Sequence, residues 1–230
     1  MKNILVTGAK GNLGTAVVNK FLDSGYCVIG TVSAKESTVT GNKNTHLEYY
    51  SVDLTDASAS KGFIQSVIAK NKSIDGAVLT VGGFAAGKLT DTAQPDFEKM
   101  FALNFITAFN IVQPVLKQMM TQPDGGRIIL IGSKPGMSAC EAKGSVAYGL
   151  SKSLVFRLAE IINVEGKGKN IFASVIVPAT IDTPQNRAGM PDANFSEWVK
   201  AEDIAAIIEF VFSEKAKSLR DEVIEVTGNS

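Results

Sequence analysis

Tyr148 and Lys152 are spaced so that they could move a proton together. They lie four residues apart, early in a predicted helix, and such residues share one face of a helix. An ammonium group within about 4–6 Å of a phenol favours the phenolate and lowers the tyrosine pKa, which allows proton transfer near neutral pH. The pair therefore indicates acid–base chemistry. The alternative is a surface pair that contributes a few tenths of a kcal/mol to the helix.

A glycine turn follows the first predicted strand, residues 2–7, and precedes a helical pattern over 15–22. The N–H groups and dipole of a helix N-terminus favour an anion such as the pyrophosphate of a dinucleotide, and side chains in the turn would block it. We therefore expect a dinucleotide cofactor here rather than a plain tight turn. The expected contacts in the turn are Gly8, Lys10, Gly11, Asn12, Leu13 and Gly14.

Strands and helices alternate along the rest of the chain. Further strands are predicted at 27–32, 46–52, 75–81, 127–131, 171–177 and 222–226. Helices are predicted over 56–70, 95–120, 146–164 and 201–212, and Pro114 predicts a kink or a break in the second of these. Right-handed crossovers then place helices on both faces of the sheet. The sequence predicts an α/β fold, with one doubly wound parallel sheet in a single domain over residues 1–230.

The composition argues against several other classes of protein. Lys+Arg and Asp+Glu both number 23, so no basic excess attracts nucleic acid or an anionic membrane. No apolar run reaches about 18 residues, and no signal peptide precedes the first strand. Cys27 and Cys140 lie far apart, and His46 is the only histidine. We therefore expect a reduced, cytoplasmic protein without a metal site, nucleic-acid partner or membrane partner.

Seven motifs resemble those of the short-chain dehydrogenase/reductase family, in the family's own order and over essentially the whole chain. They are Thr7-Gly8 with Gly14, Asp53, Gly82-Gly83, Asn104, Ser133, Tyr148 with Lys152, and Pro178 to Thr183. The resemblance implies a Rossmann-like sheet of about seven strands in the order 3-2-1-4-5-6-7. It also implies a catalytic group of Asn104, Ser133, Tyr148 and Lys152 at the carboxyl ends of the strands.

The resemblance further implies an oxidoreductase that transfers a hydride to or from a small carbonyl or alcohol substrate. Tyr148 would be the general acid or base, and Lys152 would lower its pKa and hold the nicotinamide ribose. Ser133 would orient the substrate oxygen, and Asn104 would interrupt its helix and hold a water. Further cofactor contacts implied are Asp53, Leu54, Gly82, Gly83, Tyr148, Lys152, Pro178, Thr180, Ile181 and Thr183. Homodimers or homotetramers through the long helices are also implied.

Three departures from the family pattern accompany this resemblance: Asn12 in place of the commoner glycine, the 15-residue spacing of Ser133 and Tyr148, and Ala179 after Pro178. The substrate loop, about 178–199, looks like that of quinonoid dihydropteridine reductases. That branch lacks the serine and carries an acid after the second strand. The loop similarity leaves a pterin-like substrate open as an alternative. A non-catalytic, redox-sensing protein that binds a dinucleotide also stays open. The apolar residues of the loop, which could form a lid or pack on the core, are Met190, Phe195 and Trp198.

The end of the second strand indicates the choice of cofactor. An acid there would accept hydrogen bonds from the ribose hydroxyls of NAD and repel a 2′-phosphate. This chain has Val32 and Ser33 there, with Lys35 shortly after and no acid before Glu36. Ser33 can donate to a phosphate, and Lys10 and Lys35 can supply positive charge. We therefore expect NADP(H) in preference to NAD(H).

Overall fold

Seven parallel strands form one sheet, in the order β3-β2-β1-β4-β5-β6-β7. The computed structural model describes residues 1–34, 44–220 and 223–228. The strands are β1 Asn3–Thr7, β2 Cys27–Val32, β3 Leu47–Ser51, β4 Gly76–Leu79, β5 Gly126–Ile131, β6 Ile171–Pro178 and β7 Val223–Val226. The order reverses between β1 and β4, which is where ligands bind in sheets of this kind. The predicted doubly wound α/β fold is confirmed.

Eight α-helices among the described residues connect and cover the strands. They are α1 Asn12–Asp23, α2 Ala57–Asn71, α3 Gln94–Phe101, α4 Thr107–Met119, α5 Lys134–Met137, α6 Val146–Glu165, α7 Pro184–Gly189 and α8 Ala201–Phe212. Successive strand residues point to opposite faces of the sheet. Thus Leu5 packs with residues of α2, α4 and α6, whereas Ile4 and Val6 pack with residues of α1 and α8. One apolar core therefore covers each face of the sheet, and the two cores fix the strands whose carboxyl ends carry the site.

The long helix predicted over 95–120 is interrupted, but not at Pro114. A single π-helical turn, Ala102–Ile106, separates α3 from α4, and α4 continues through Pro114 to Met119. A proline removes one backbone hydrogen bond, but Ile111 and Val115 are fully buried on either side of it. The predicted break at Pro114 is therefore wrong, because core packing of α4 outweighs the lost bond.

The segment Gln94–Met119 has the length and mean hydropathy, 1.2, of a helix that could cross a membrane. No continuous apolar run of about 18 residues had been predicted from the sequence. Met100, Ile111 and Val115 lie in the protein core, and the segment packs against α2 and α6. Its apolar character is therefore explained in part by packing within the fold.

Two predicted loops contain short helices. The loop before α6 includes α5, a single turn that begins directly after Ser133. The loop after β6 includes α7 and a 3₁₀ turn, Phe195–Glu197. Its two ends pair with each other, because Val199 N–H donates to Thr180 O at 2.9 Å and Asp182 N–H donates to Val199 O at 2.8 Å.

Candidate active site

A cleft of about 890 Å³ opens at the carboxyl ends of β1, β2 and β4. The glycine turn between β1 and α1 forms one of its walls. Gly8 has a φ of +62°, which favours glycine, and a Cβ at Gly14 would lie 2.0 Å from Gly8 O. The backbone therefore turns more tightly than side chains would allow, and α1 begins at the cleft. All six residues predicted in this turn line the cleft, namely Gly8, Lys10, Gly11, Asn12, Leu13 and Gly14.

The cleft also contains most of the other residues predicted to bind the cofactor. Those that line it are Ser33, Asp53, Leu54, Gly82, Ile181 and Thr183. The predicted residues that are not part of the described lining are Gly83, Tyr148, Lys152, Pro178 and Thr180. Lining residues that were not predicted are Thr31, Val32, Ala34, Val52, Thr55, Thr80, Val81, Leu103 and Thr107. Most of these residues lie at the end of β2, β3 or β4 or follow that strand. Their place at or after the end of a predicted strand, at the carboxyl edge of the sheet, could have identified them as cleft residues.

Charged side chains of the cleft are held by local contacts. Asp53 Oδ1 accepts from Thr55 Oγ1 at 2.6 Å and from Thr55 N–H at 2.9 Å, and these bonds lower the pKa of Asp53. Lys10 Nζ lies 5.5 Å from the centre of the Tyr49 ring. Lys35 and Glu36, which entered the prediction of cofactor choice, lie outside the described residues.

Ser133 and Tyr148 approach each other beside the cleft. Ser133 is buried at the end of β5 and caps α5, because its Oγ accepts from Gly136 N–H at 3.3 Å. Burial raises the pKa of Tyr148 above 10.0, and a hydrogen-bonding interaction with the Ser133 side chain opposes that shift in part. The Phe84 ring contacts the Tyr148 ring edge-on, with centroids 5.1 Å apart. The long spacing of Ser133 and Tyr148 is compatible with contact, because α5 lies between them.

The Lys152 side chain is buried and bonds to the end of β5. Its Nζ donates to Ile131 O at 2.7 Å, and burial lowers the pKa of Lys152 to about 8. Burial of the phenol raises the pKa of Tyr148 in this structure, and the lowering expected from Lys152 stays a prediction. Lys152 nevertheless lies at the cleft wall, since a Cβ added at Gly82 would be 3.3 Å from Lys152 Nζ.

Asn104 lies in the π turn and connects three segments of the chain. Its Oδ1 accepts from Gly83 N–H at 2.9 Å, and its Nδ2 donates to Gly83 O at 3.1 Å and to Ser151 Oγ at 3.0 Å. A Cβ at Gly82 would lie 2.7 Å from Asn104 Oδ1, which explains a glycine at that position. Asn104 therefore lies where its helix is interrupted and bonds the Gly83 backbone next to the cleft, and its binding of a water stays a prediction.

The loop after β6 contacts the glycine turn. Asn12 Nδ2 donates to Gln185 Oε1 at 2.8 Å. Within the loop, Arg187 pairs with Asp182 and its guanidinium lies 4.5 Å from the centre of the Phe195 ring. The Phe195 and Trp198 rings lie 4.7 Å apart, whereas Met190 is exposed. Phe195 and Trp198 thus pack within the loop itself.

The fold and this site match a known class of enzyme. A sequence model described as short chain dehydrogenase matches residues 2–194. The chain belongs to the short-chain dehydrogenase/reductase family and is an NAD(P)-dependent oxidoreductase, as the sequence predicted.

Two curated relatives and one solved structure illustrate the similarity. The acetoacetyl-CoA reductase of Acinetobacter sp. (strain RA3849) is 25% identical over 242 residues, covering 99% of this chain and 96% of the relative. The dihydropteridine reductase of Dictyostelium discoideum is 26% identical over 208 residues, covering 89% of this chain and 84% of the relative. The structure of ElxO with NADP bound has a TM-score of 0.87 at 25% identity, covering 99% of this chain and 97% of that one.

Proposed function

We propose that this protein transfers a hydride between NADP(H) and a small carbonyl or alcohol, with Tyr148 as general acid or base. The observation that carries the proposal is the contact of Ser133 with Tyr148 beside a cleft lined by the glycine turn. The turn, Asp53 and the cleft volume fit a dinucleotide. The bound nicotinamide would supply or accept the hydride.

The protein's own groups would handle the oxygen and the proton. Burial keeps Tyr148 protonated at neutral pH, so in the reducing direction its O–H can donate a proton to the oxygen that gains negative charge. Ser133 would hold the same oxygen through its hydroxyl. Lys152 would bind the ribose hydroxyls after giving up Ile131 O. Asn104 would fix the wall that the nicotinamide end contacts.

The preference for NADPH rests on the residues around the end of β2. Val32, Ser33 and Ala34 line the cleft and carry no negative charge. Lys10 lines the same region and can pair with a 2′-phosphate. The similarity to ElxO with NADP bound supports the same choice. An acid at position 32 or 33 would favour NADH instead.

The assembly we propose is a homodimer or homotetramer in the cytoplasm. A ladder of neighbouring rings runs along α3, the π turn and α4, with neighbouring centroids 5.2–6.0 Å apart. The ladder consists of Phe97, Phe101, Phe105 and Phe109, and the two end rings are 36% and 42% exposed. Exposed apolar surface of this kind favours burial against another copy. Both cysteines are free thiols, which suits a reducing compartment.

A second candidate is reduction of a flat, pterin-like ring. The Phe84 ring is 68% exposed and contacts Tyr148, so it offers an aromatic face next to the candidate proton donor. The similarity to a dihydropteridine reductase supports this alternative.

The test is NADPH oxidation at 340 nm with acetoacetyl-CoA, a panel of small ketones and a quinonoid dihydropterin. We expect turnover with a carbonyl compound that Tyr148→Phe removes. Turnover of the pterin alone would favour the second candidate. A lack of turnover with every compound and either cofactor, together with tight dinucleotide binding, would favour a non-catalytic, redox-sensing protein.

A further inference from the structure

Ser151, which precedes Lys152 in α6, is fully buried and uses its hydroxyl twice. The hydroxyl donates to Tyr148 O at 2.8 Å and accepts from Asn104 Nδ2 at 3.0 Å. A serine hydroxyl has one proton. Because that proton is committed to Tyr148 O, Ser151 can only accept from Asn104.

This direction agrees with the orientation that the Gly83 backbone gives the Asn104 amide. With Nδ2 facing Ser151 and Gly83 O, Oδ1 faces Gly83 N–H, and every bond pairs a donor with an acceptor. The reversed amide would place Oδ1 against Ser151 Oγ and Gly83 O, and would place the amino group against Gly83 N–H. Such buried mismatches are unfavourable, so the Gly83 backbone and the Ser151 hydroxyl favour the same orientation, and Ser151 adds a further buried anchor for the amide.

The oriented amide then joins three parts of the candidate site. Asn104 belongs to the π turn, Gly83 follows Gly82 in the cleft wall, and Ser151 lies between Tyr148 and Lys152 in α6. We propose that Ser151 is a positioning residue that anchors the Asn104 amide to α6 and thereby holds the Gly82–Gly83 wall in register with Tyr148 and Lys152. The effect on turnover rests on the proposed function. The effect on the Gly83 hydrogen bond does not.

Ser153 provides a matched control in the same helix. Its hydroxyl donates to Leu150 O at 2.7 Å, as Ser151 donates to Tyr148 O, but Ser153 is exposed and lies on the other side of α6. Ser151→Ala and Ser153→Ala therefore remove the same kind of helix contact. Ser151→Ala alone removes the acceptor for Asn104.

Two measurements test the inference. In the cofactor-free protein, we expect Ser151→Ala to speed amide hydrogen exchange at Gly83 by about tenfold or more, because Asn104 Oδ1 is no longer held against that N–H. In turnover, we expect kcat to fall by about tenfold or more, since a small misplacement of reacting groups is costly. The KM for NADPH should stay within about threefold, because the glycine turn and Asp53 are untouched.

Further variants separate positioning from a general structural role. Ser151→Thr keeps the hydroxyl and should recover kcat and Gly83 protection to within about threefold of the wild type. Asn104→Ala should make a subsequent Ser151→Ala change nearly silent, because both act through one amide. If Ser151→Ala does not fold, Ser151→Cys, with its weak acceptor, replaces it in both measurements.

The inference is overturned if Gly83 exchange and kcat in Ser151→Ala match those of Ser153→Ala within about twofold, or if the losses from Asn104→Ala and Ser151→Ala are additive. A KM rise as large as the kcat loss, without rescue by Ser151→Thr, also overturns it. A wild type with no turnover defeats the proposed function alone, and Gly83 exchange still decides the role of Ser151.

Discussion

Lys152 Nζ donates a hydrogen bond to the carbonyl oxygen of Ile131 at 2.7 Å, in the interior of the protein. The bond joins α6 to the end of β5, two residues before Ser133. Burial of the ammonium lowers the pKa of Lys152 from 10.5 to about 8. A neutral backbone acceptor therefore compensates only part of the cost of burying this charge.

The buried charge predicts a particular pH dependence of stability. The native pKa is below the unfolded value, so unfolding takes up a proton between about pH 8 and 10.5, and the free energy of unfolding rises with pH in that window. Lys152→Met has no ammonium group at this position, so its free energy of unfolding lacks this contribution to the pH dependence. We expect its stability advantage over the wild type to shrink by about 3 kcal/mol between pH 7 and 10.5 in cofactor-free urea unfolding. Exposed Lys117→Met is the control, and a pH-independent difference for Lys152→Met would contradict the prediction.

Tyr148→Phe should remove turnover and leave cofactor binding intact, since it deletes one hydroxyl and little volume. We expect kcat to fall by about 10²–10⁴-fold or more, while the Kd for NADPH, measured by fluorescence titration, changes little. Tyr26→Phe, which alters a ring packed on Phe21 away from the cleft, is the control and should keep normal activity. Near-normal turnover in Tyr148→Phe would rule out this residue as the proton donor.

Ser133→Ala should also lower kcat strongly in a folded protein. Ser133 interacts with Tyr148 and also caps α5, so the variant loses both the proposed substrate contact and a cap. Ser138→Ala removes a hydroxyl from the other end of α5 and serves as the control for local disorder. An active Ser133→Ala enzyme would mean that catalysis proceeds without this serine, as in the branch of the family that lacks it.

The sequence could predict the features that are local in the chain. The turn from Gly8 to Gly14 lies between a strand and a helix, and Tyr148 and Lys152 share a helix face by spacing alone. The partner of Lys152 could not be predicted, because Ile131 O is a backbone atom 21 residues away that becomes available only where β5 ends beside α6.

The π turn shows the same limit. Asn104 was predicted to interrupt its helix only through the family resemblance, and its amide partners could not be predicted, because Gly83 and Ser151 lie next to it only in the folded chain. Pro114 had a strong local signal for a break, but the buried side chains of α4 outweighed it. The family resemblance assigned Ser133 and Tyr148 to one catalytic group, but their contact was not predicted, and α5, which lies between them, was expected to be a loop.

Lys10 provides the test of cofactor choice. Its side chain lies at the cleft beside the Tyr49 ring, and we propose that it pairs with a 2′-phosphate, a group that NADH lacks. A charge-assisted bond to phosphate predicts that Lys10→Ala weakens NADPH binding by about tenfold or more and leaves NADH binding within about twofold. Isothermal titration with both cofactors measures this, and Lys215→Ala, which removes an exposed lysine outside the described lining of the cleft, is the control. A wild type with higher kcat/KM for NADH, or a Lys10→Ala variant that weakens both cofactors equally, would overturn the proposed preference and strengthen the likeness to the dihydropteridine reductases.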